Sequence, residues 1–513
     1  MKKFVVFLLT LCMLAGTTLG CSSQKTGASG GSQAGADSTA QSGENGGSAG
    51  ADVKTIKMVK EYSPAIDRFP SGESINSNPV IEYHREKSGI NVQVECLPKD
   101  NSNQQVALIL ASGDVPDILE LKNKEVFFKY TAQGAFKPVG DLLKQFAAHY
   151  LEITDPALFE YVKYKDEIYA IPYCKGDYVQ TTGIFARTDL LKKAGIDYES
   201  VKTLEQFKAD LKTIKEKTGL IPLTASAFDF SSFLSTIGML QGSFGPATYT
   251  FEKDGKLEFS WIQPEYKEYL TYVKSLYDDG LLDNEFAVNQ SKHTQEKMVG
   301  EKAAISFESW WIAMTIDQTL QKKSKDIEVK YLPLPTGKGG ISGVIAPNLL
   351  NSYFCIPEGA KEPETAIKFL EYMASDDALF VQNYGLEGRY YSKVDGKIVS
   401  TPEQSMEADF LTVYQLVDTK ENFLLRQEKK GFTPYYEQIS PYNRIVEPTR
   451  VMPSIEAYDS KFSELTSFVL ESSIKFIMGS RNLSEFDQYV EEFNQRGGTD
   501  AIQAANEWYQ KNK

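Results

Sequence analysis

The stretch ALILASGDVPDILEL, residues 107–121, decides how the rest of the chain is read. Gln104 to Ala111 has the spacing of a helix, Gly113 stops it, and Val115 to Leu121 reads as a strand. Immediately upstream, Asn91-Val-Gln-Val-Glu-Cys96 alternates with period two, as a strand with one wet face should. Further upstream, Thr55 to Val59 opens as a short β-type run. Strand-like and helix-like segments keep alternating downstream, which predicts α/β architecture.

Several helices carry their own punctuation. In TLEQFKADLKTIKEKTG, Thr203 and Gln206 form a capping-box pair. Leu204, Phe207, Leu211 and Ile214 mark one apolar face, and Gly219 is the C-terminal stop. In NLSEFDQYVEEFNQRGG, Ser484 is the expected N-cap, Phe486, Val490 and Phe493 the apolar face, and Gly497 the end. A third helix starts at Pro363, with Ile367, Leu370 and Met373 inward. These stripes are core and carry no function. No repeat of solenoid length occurs.

The N-terminus reads as export machinery. Lys2 and Lys3 form a positive n-region, and Phe4 to Leu14 is an apolar run too short for a stable membrane span. The cut falls at an ordinary signal-peptidase site or directly before Cys21. Leu19-Gly20-Cys21-Ser22-Ser23 is similar to a bacterial lipobox, with Thr18 where that motif has leucine. On this reading Cys21 is lipidated and two acyl chains hold the protein on a membrane. Ser22 to Gly50 is Gly, Ser and Ala-rich and cannot repay the entropy of ordering, so it reads as a flexible tether.

Charge and cysteine count narrow the function classes. The chain has 55 basic and 69 acidic residues, a net charge of −14. Such a protein is a poor candidate for nucleic acid. Beyond Cys12 and Cys21, the cysteines Cys96, Cys174 and Cys355 are scattered and form no CxxC. His84, His149 and His293 have no metal-ligand spacing, so neither a metal site nor a cofactor is expected. No GxSxG elbow, Walker A or GxGxxG is present.

Aromatic residues are the stronger signal, with 28 Tyr, 29 Phe and 4 Trp. Aromatic rings stack on sugar faces, and α/β folds place ligands past the carboxyl ends of strands. In AAISFESWW, Ala303 to Phe307 reads as a buried strand, followed by Glu308, Trp310 and Trp311. In IPLTASAFDF, Leu223 to Ala225 reads as a strand, followed by Phe228, Asp229 and Phe230. Each group either touches ligand or serves packing and capping.

The same segments, in order, resemble the type 1 extracellular solute-binding proteins of ABC importers, in particular the long lipoprotein branch common in Firmicutes. Residues 107–121 look like that family's helix–Gly-Asp-x-Pro-Asp–strand signature. DEIYAIPY (Asp166 to Tyr173), TTGIFARTDLLKKAGID followed by TLEQF, MVGEKAAISFESW, YGLEGRYY (Tyr384 to Tyr391) and SRNLSEFDQYVEEFNQRGG resemble further family segments. The likeness runs from about residue 55 to the end. It implies a two-lobe periplasmic-binding-protein-like fold of type II topology, with a hinge and an interlobe ligand cleft. Residues 1–20 would be signal peptide and 21–51 the lipidated cysteine and tether. Residues 52–175 with 352–440 would form the first lobe, and 176–351 with 441–513 the second.

That family captures a solute and hands it to a membrane permease, and it needs no catalyst. The implied ligand is an oligosaccharide. Trp310, Trp311 and Glu308 are the leading contact candidates, with the rings stacking and the carboxylate accepting hydroxyl bonds. Tyr173, Asp177 and Tyr178 lie near the first lobe crossing, and Phe228 and Asp229 follow. Glu387 and Arg389 either touch ligand or pair with each other. Asp117 reads as a backbone cap, and Glu120 and Tyr62 are candidates near strand ends. The partners implied are an oligosaccharide, the permease subunits and the membrane, with the protein monomeric on the outer face. The alternatives are a peptide or other small polar solute in the same fold, a surface glycoside hydrolase, and a protein-binding adhesin.

Overall fold

The computed structural model describes residues 53–174, 181–403 and 407–512. Cys21, the tether, Asp177 and Tyr178 therefore lie outside the described residues. Two sheets organise the body. In the first, the order is Asn91–Cys96, Thr55–Lys60, Ile118–Leu121, Ser352–Cys355, Ile171–Tyr173. Its first three strands are parallel, and Ser352–Cys355 runs antiparallel to both its neighbours. In the second, the order is Val329–Tyr331, Thr182–Arg187, Ala303–Ser309, Ile221–Leu223. Here Ala303–Ser309 runs parallel to Ile221–Leu223 and antiparallel to Thr182–Arg187.

Each sheet has its own apolar core. One gathers buried side chains from Ile56 to Tyr173 and from Leu350 to Val417. The other gathers them from Ile184 to Val344 and from Phe423 to Ala505. The chain thus crosses between lobes three times. The third crossing lies between Val417 and Phe423, which corrects the expected division at residue 440. Phe423, Tyr436 and Ile439 are buried in the second core. No change of composition marks this crossing. A polar clamp holds it instead: Asp418, with its side chain fully buried, takes a two-pronged ion pair from Arg426.

The deciding segment folds largely as its pattern predicts, with one shift. The helix spans Ser102–Ser112, and Gly113 takes the left-handed conformation (φ +77°) that only glycine adopts freely. The strand begins at Ile118, later than Val115, because Pro116 has no N–H to give a ladder and Asp117 is otherwise engaged. Its Oδ2 accepts from the Lys57 N–H (2.9 Å). Its Oδ1 accepts from the N–H groups of Lys361 and Glu362 (3.1 and 2.8 Å). It therefore ties the first strand to the start of the helix Pro363–Met373.

Other local signals hold in part. The Thr203–Gln206 capping box forms in both directions, and Leu204, Phe207, Leu211 and Ile214 are buried. At the C-terminal helix, Asn482 and not Ser484 is the cap, because a short 3-10 turn, Leu483–Glu485, precedes Phe486–Phe493. Tyr489 replaces Val490 on the buried face.

Asp117→Ala should lower unfolding free energy by about 2 kcal/mol, since three part-buried backbone donors lose the buried carboxylate that accepts from them. Urea denaturation at neutral pH measures it, and a loss below about 0.5 kcal/mol would contradict this role.

Candidate functional site

The chain entering the second crossing lies beside a later segment of the second lobe. Val344–Ile345 pairs in parallel with Arg444–Ile445. The close approach has a steric condition: a Cβ on Gly242 would stand 1.9 Å from the Gly343 carbonyl oxygen. Just beyond, Glu447 is buried and collects five donors. They are the N–H groups of Tyr249, Thr250 and Thr449 and the hydroxyls of Thr250 and Thr449.

These contacts shape a pocket of about 280 Å³ beside the crossings. Thr181 and Thr182 enter it from the first crossing, and Val344, Ile345 and Pro347 from the second. Phe230, Tyr249 and Phe462 form its aromatic walls, with Ser231, Ser235 and Thr466 adding hydroxyls. Tyr249 lies 5.5 Å from Phe462 and 5.6 Å from Trp261, ring centre to ring centre. Phe230 packs edge-on against Trp261 at 5.4 Å. Trp261 is itself fully buried and packs against both of these half-buried rings. Burial pushes the Tyr249 phenol up, and the Glu447 carboxylate adds to that shift, so the ring stays neutral.

The strand ends of the first lobe hold polar side chains that are paired among themselves. Glu120 accepts from the Ser352 hydroxyl (2.7 Å) and the Glu61 N–H (3.1 Å). Tyr173 is buried and donates to Gln415 Oε1 (2.9 Å). Burial pushes the Lys124 ammonium down, while Asp459 and Glu447 of the second lobe, with Glu125, pull it back up.

The predicted residues separate into groups. Trp310 is buried in the second core, 4.8 Å edge-on to Phe432. Trp311 is 43% exposed, and the neighbouring Trp310 N–H bonds the Thr181 carbonyl, a pocket residue. Glu308 is the penultimate residue of its strand and not past its end. It is 2% exposed and takes the Thr294 hydroxyl at 3.1 Å. Its side chain therefore faces the core side of the sheet. Asp229 caps the helix Phe230–Ser235, accepting from Ser232 N–H at 2.7 Å, and Phe228 is exposed beside it. Tyr173 and Glu120 are satisfied within the first lobe. Tyr62 donates to Asp67 at the surface.

Glu387 and Arg389 do not pair with each other. Glu387 meets Lys393 (3.3 Å), whereas Arg389 grips Glu73 and Glu407. Both Arg389 pairs are structural ties within the first lobe. The sequence reading missed Tyr249 and Phe462. Phe462 belongs to the long helix Glu456–Met478, whose many apolar residues give no local cue to which of them meets a cavity.

The match to known proteins agrees with this architecture. The model of the bacterial extracellular solute-binding protein family matches residues 72–379. The chain belongs to that family. This binding protein is 27% identical to lipoprotein LipO of Bacillus subtilis, over 92% of its own length and 95% of LipO. It is 23% identical, over the whole of both chains, to the polygalacturonan/rhamnogalacturonan-binding protein YtcQ of the same species. Among solved structures, a solute-binding protein from Bifidobacterium longum infantis superposes with a TM-score of 0.68 at 15% identity. That likeness covers 90% of this chain and 99% of that one. The fold is thus the two-lobe binding-protein fold.

Burial pushes the Glu308 carboxyl up to about 8, opposed by hydrogen bonds from Ser306 and Thr294. The folded chain keeps this proton well above the pH at which the unfolded chain loses it. Its stabilising effect is therefore complete below about 4.5 and is lost as pH rises through 8. Glu308→Gln should remove that dependence, on the order of 1 kcal/mol per pH unit within the window. Urea denaturation of both proteins across this range checks it, and parallel pH curves would contradict it.

Proposed function

We propose that this protein is the substrate-binding subunit of an ABC importer and captures an oligosaccharide in its interlobe cleft. The observation that carries the reading is the pocket at the crossings, where half-buried Phe230, Tyr249 and Phe462 surround a set of hydroxyl side chains. Aromatic faces stack on the C–H faces of sugar rings, and the hydroxyls of Thr182, Ser231 and Thr466 can exchange hydrogen bonds with sugar hydroxyls. YtcQ carries the name of a glycan-binding protein, which points the same way.

The mechanism needs binding and no bond making. A ligand that touches both lobes favours the closed arrangement by its differential affinity, and the permease reads that arrangement. The tether and Cys21 would keep the protein at the outer membrane face. Two acyl chains suffice for stable anchoring where one is marginal.

Two outcomes are expected. First, a thermal-shift screen of the purified chain should find stabilisation by one oligosaccharide class. A ligand at 100 times its dissociation constant contributes about 2.7 kcal/mol. Phe230→Ala should weaken that ligand by roughly tenfold, about 1.4 kcal/mol, with the fold retained. Stabilisation by peptides alone, or turnover of the glycan, would overturn the reading. Second, Cys21→Ala should move the protein from the membrane fraction to the medium. Unchanged membrane retention would rule out the anchor.

A further inference from the structure

The pocket's electrostatics narrow the class of glycan. Among the described residues, none of those lining it carries a charge. The charged groups next to its walls include three carboxylates, with Lys461 beside Phe462 and Arg444 opposite Val344. Asp229 precedes Phe230 and caps its helix. Glu447 holds the N–H of Tyr249 at 2.6 Å. Asp459 stands on the same helix as Phe462, one turn earlier, and accepts from the Ser454 hydroxyl and the Ile455 N–H (2.6 and 2.8 Å). Lys124 approaches from the first lobe, but it faces Asp459 and Glu447 and offsets them.

A sugar carboxylate entering this pocket would leave water and meet no cation among the described lining groups, with the Glu447 carboxylate behind the Tyr249 wall. Like charges brought together in this way cost affinity, whereas hydroxyls and C–H faces meet the partners they need. We propose that the pocket selects uncharged glycans and rejects those bearing uronates. The inference rests on the oligosaccharide reading above and adds the ligand's charge. Kinship does not supply it, since YtcQ is named for a polyanionic glycan.

The test uses the full chain in detergent micelles and calorimetric titration. A panel of neutral arabinose, galactose, glucose and fructose oligosaccharides is run beside oligogalacturonates and oligomannuronates. The tightest neutral ligand is then oxidised at its primary hydroxyls to carboxylates, and a portion is methyl-esterified. The neutral parent should bind, the free acid at least roughly tenfold more weakly, and the ester close to the parent. Ser235→Lys, at the exposed edge of the lining, should recover part of the acid's affinity.

Acid binding equal to or tighter than the ester would overturn the inference, as would uronates binding where neutral sugars do not. Loss of the ester together with the acid would also overturn it, because shape and not charge would then be selected. In each of these cases the oligosaccharide reading survives. Binding of no glycan at all would remove that reading and the inference with it.

Discussion

The molecule depends on one buried carboxylate, Glu447, set just past the strand pair at the second crossing. An ionised oxygen pair in a dry site must be met by donors, and here five converge on it. Two of them are backbone N–H groups of Tyr249 and Thr250. The residue that ends the hinge pairing therefore also fixes a wall of the pocket. Tyr249 is held to Glu447 by a short bond from its N–H (2.6 Å) as well as by ring packing on Trp261 and Phe462.

Around that point the hinge is built from close backbone contact. The two-residue ladder between Val344–Ile345 and Arg444–Ile445 is too short to be stiff alone. Its neighbours enforce it: Gly242 lies against Gly343, and Asn443 Nδ2 donates to the Ser342 carbonyl at 3.0 Å. The third crossing uses charge instead, with Asp418 clamped by Arg426. Each lobe keeps its own core, and a ligand that touches both can bias their closure.

The leading aromatic pair illustrates how a pattern can be read correctly and still place a residue wrongly. Trp310 and Trp311 follow a buried strand, as ligand-contacting residues in α/β folds do. The strand continues through Glu308 and Ser309, so the pleat turns the Glu308 side chain to the core side. The helix that starts at Trp310 then points its first ring inward, against Phe432, and leaves Trp311 at the surface. Two adjacent tryptophans thus acquire opposite environments, because successive side chains on a helix are turned about 100° apart.

By itself the sequence determined what is local. Capping pairs such as Thr203–Gln206, the stop at Gly113 and the period-two run at Asn91–Cys96 are settled by nearest neighbours and by backbone geometry. The ordered set of such signals was enough to identify the two-lobe fold. Only the tertiary structure decided which residues meet in the pocket. Phe230, Tyr249 and Phe462 are separated by up to 232 residues and lie on three unrelated elements. Their apolar side chains satisfy the same helix and strand patterns whether they face a core or a cavity. The third crossing was invisible for the same reason: burial in one lobe or the other is a long-range choice, made by packing volume and by the Asp418–Arg426 pair, and neither leaves a periodic mark in the chain.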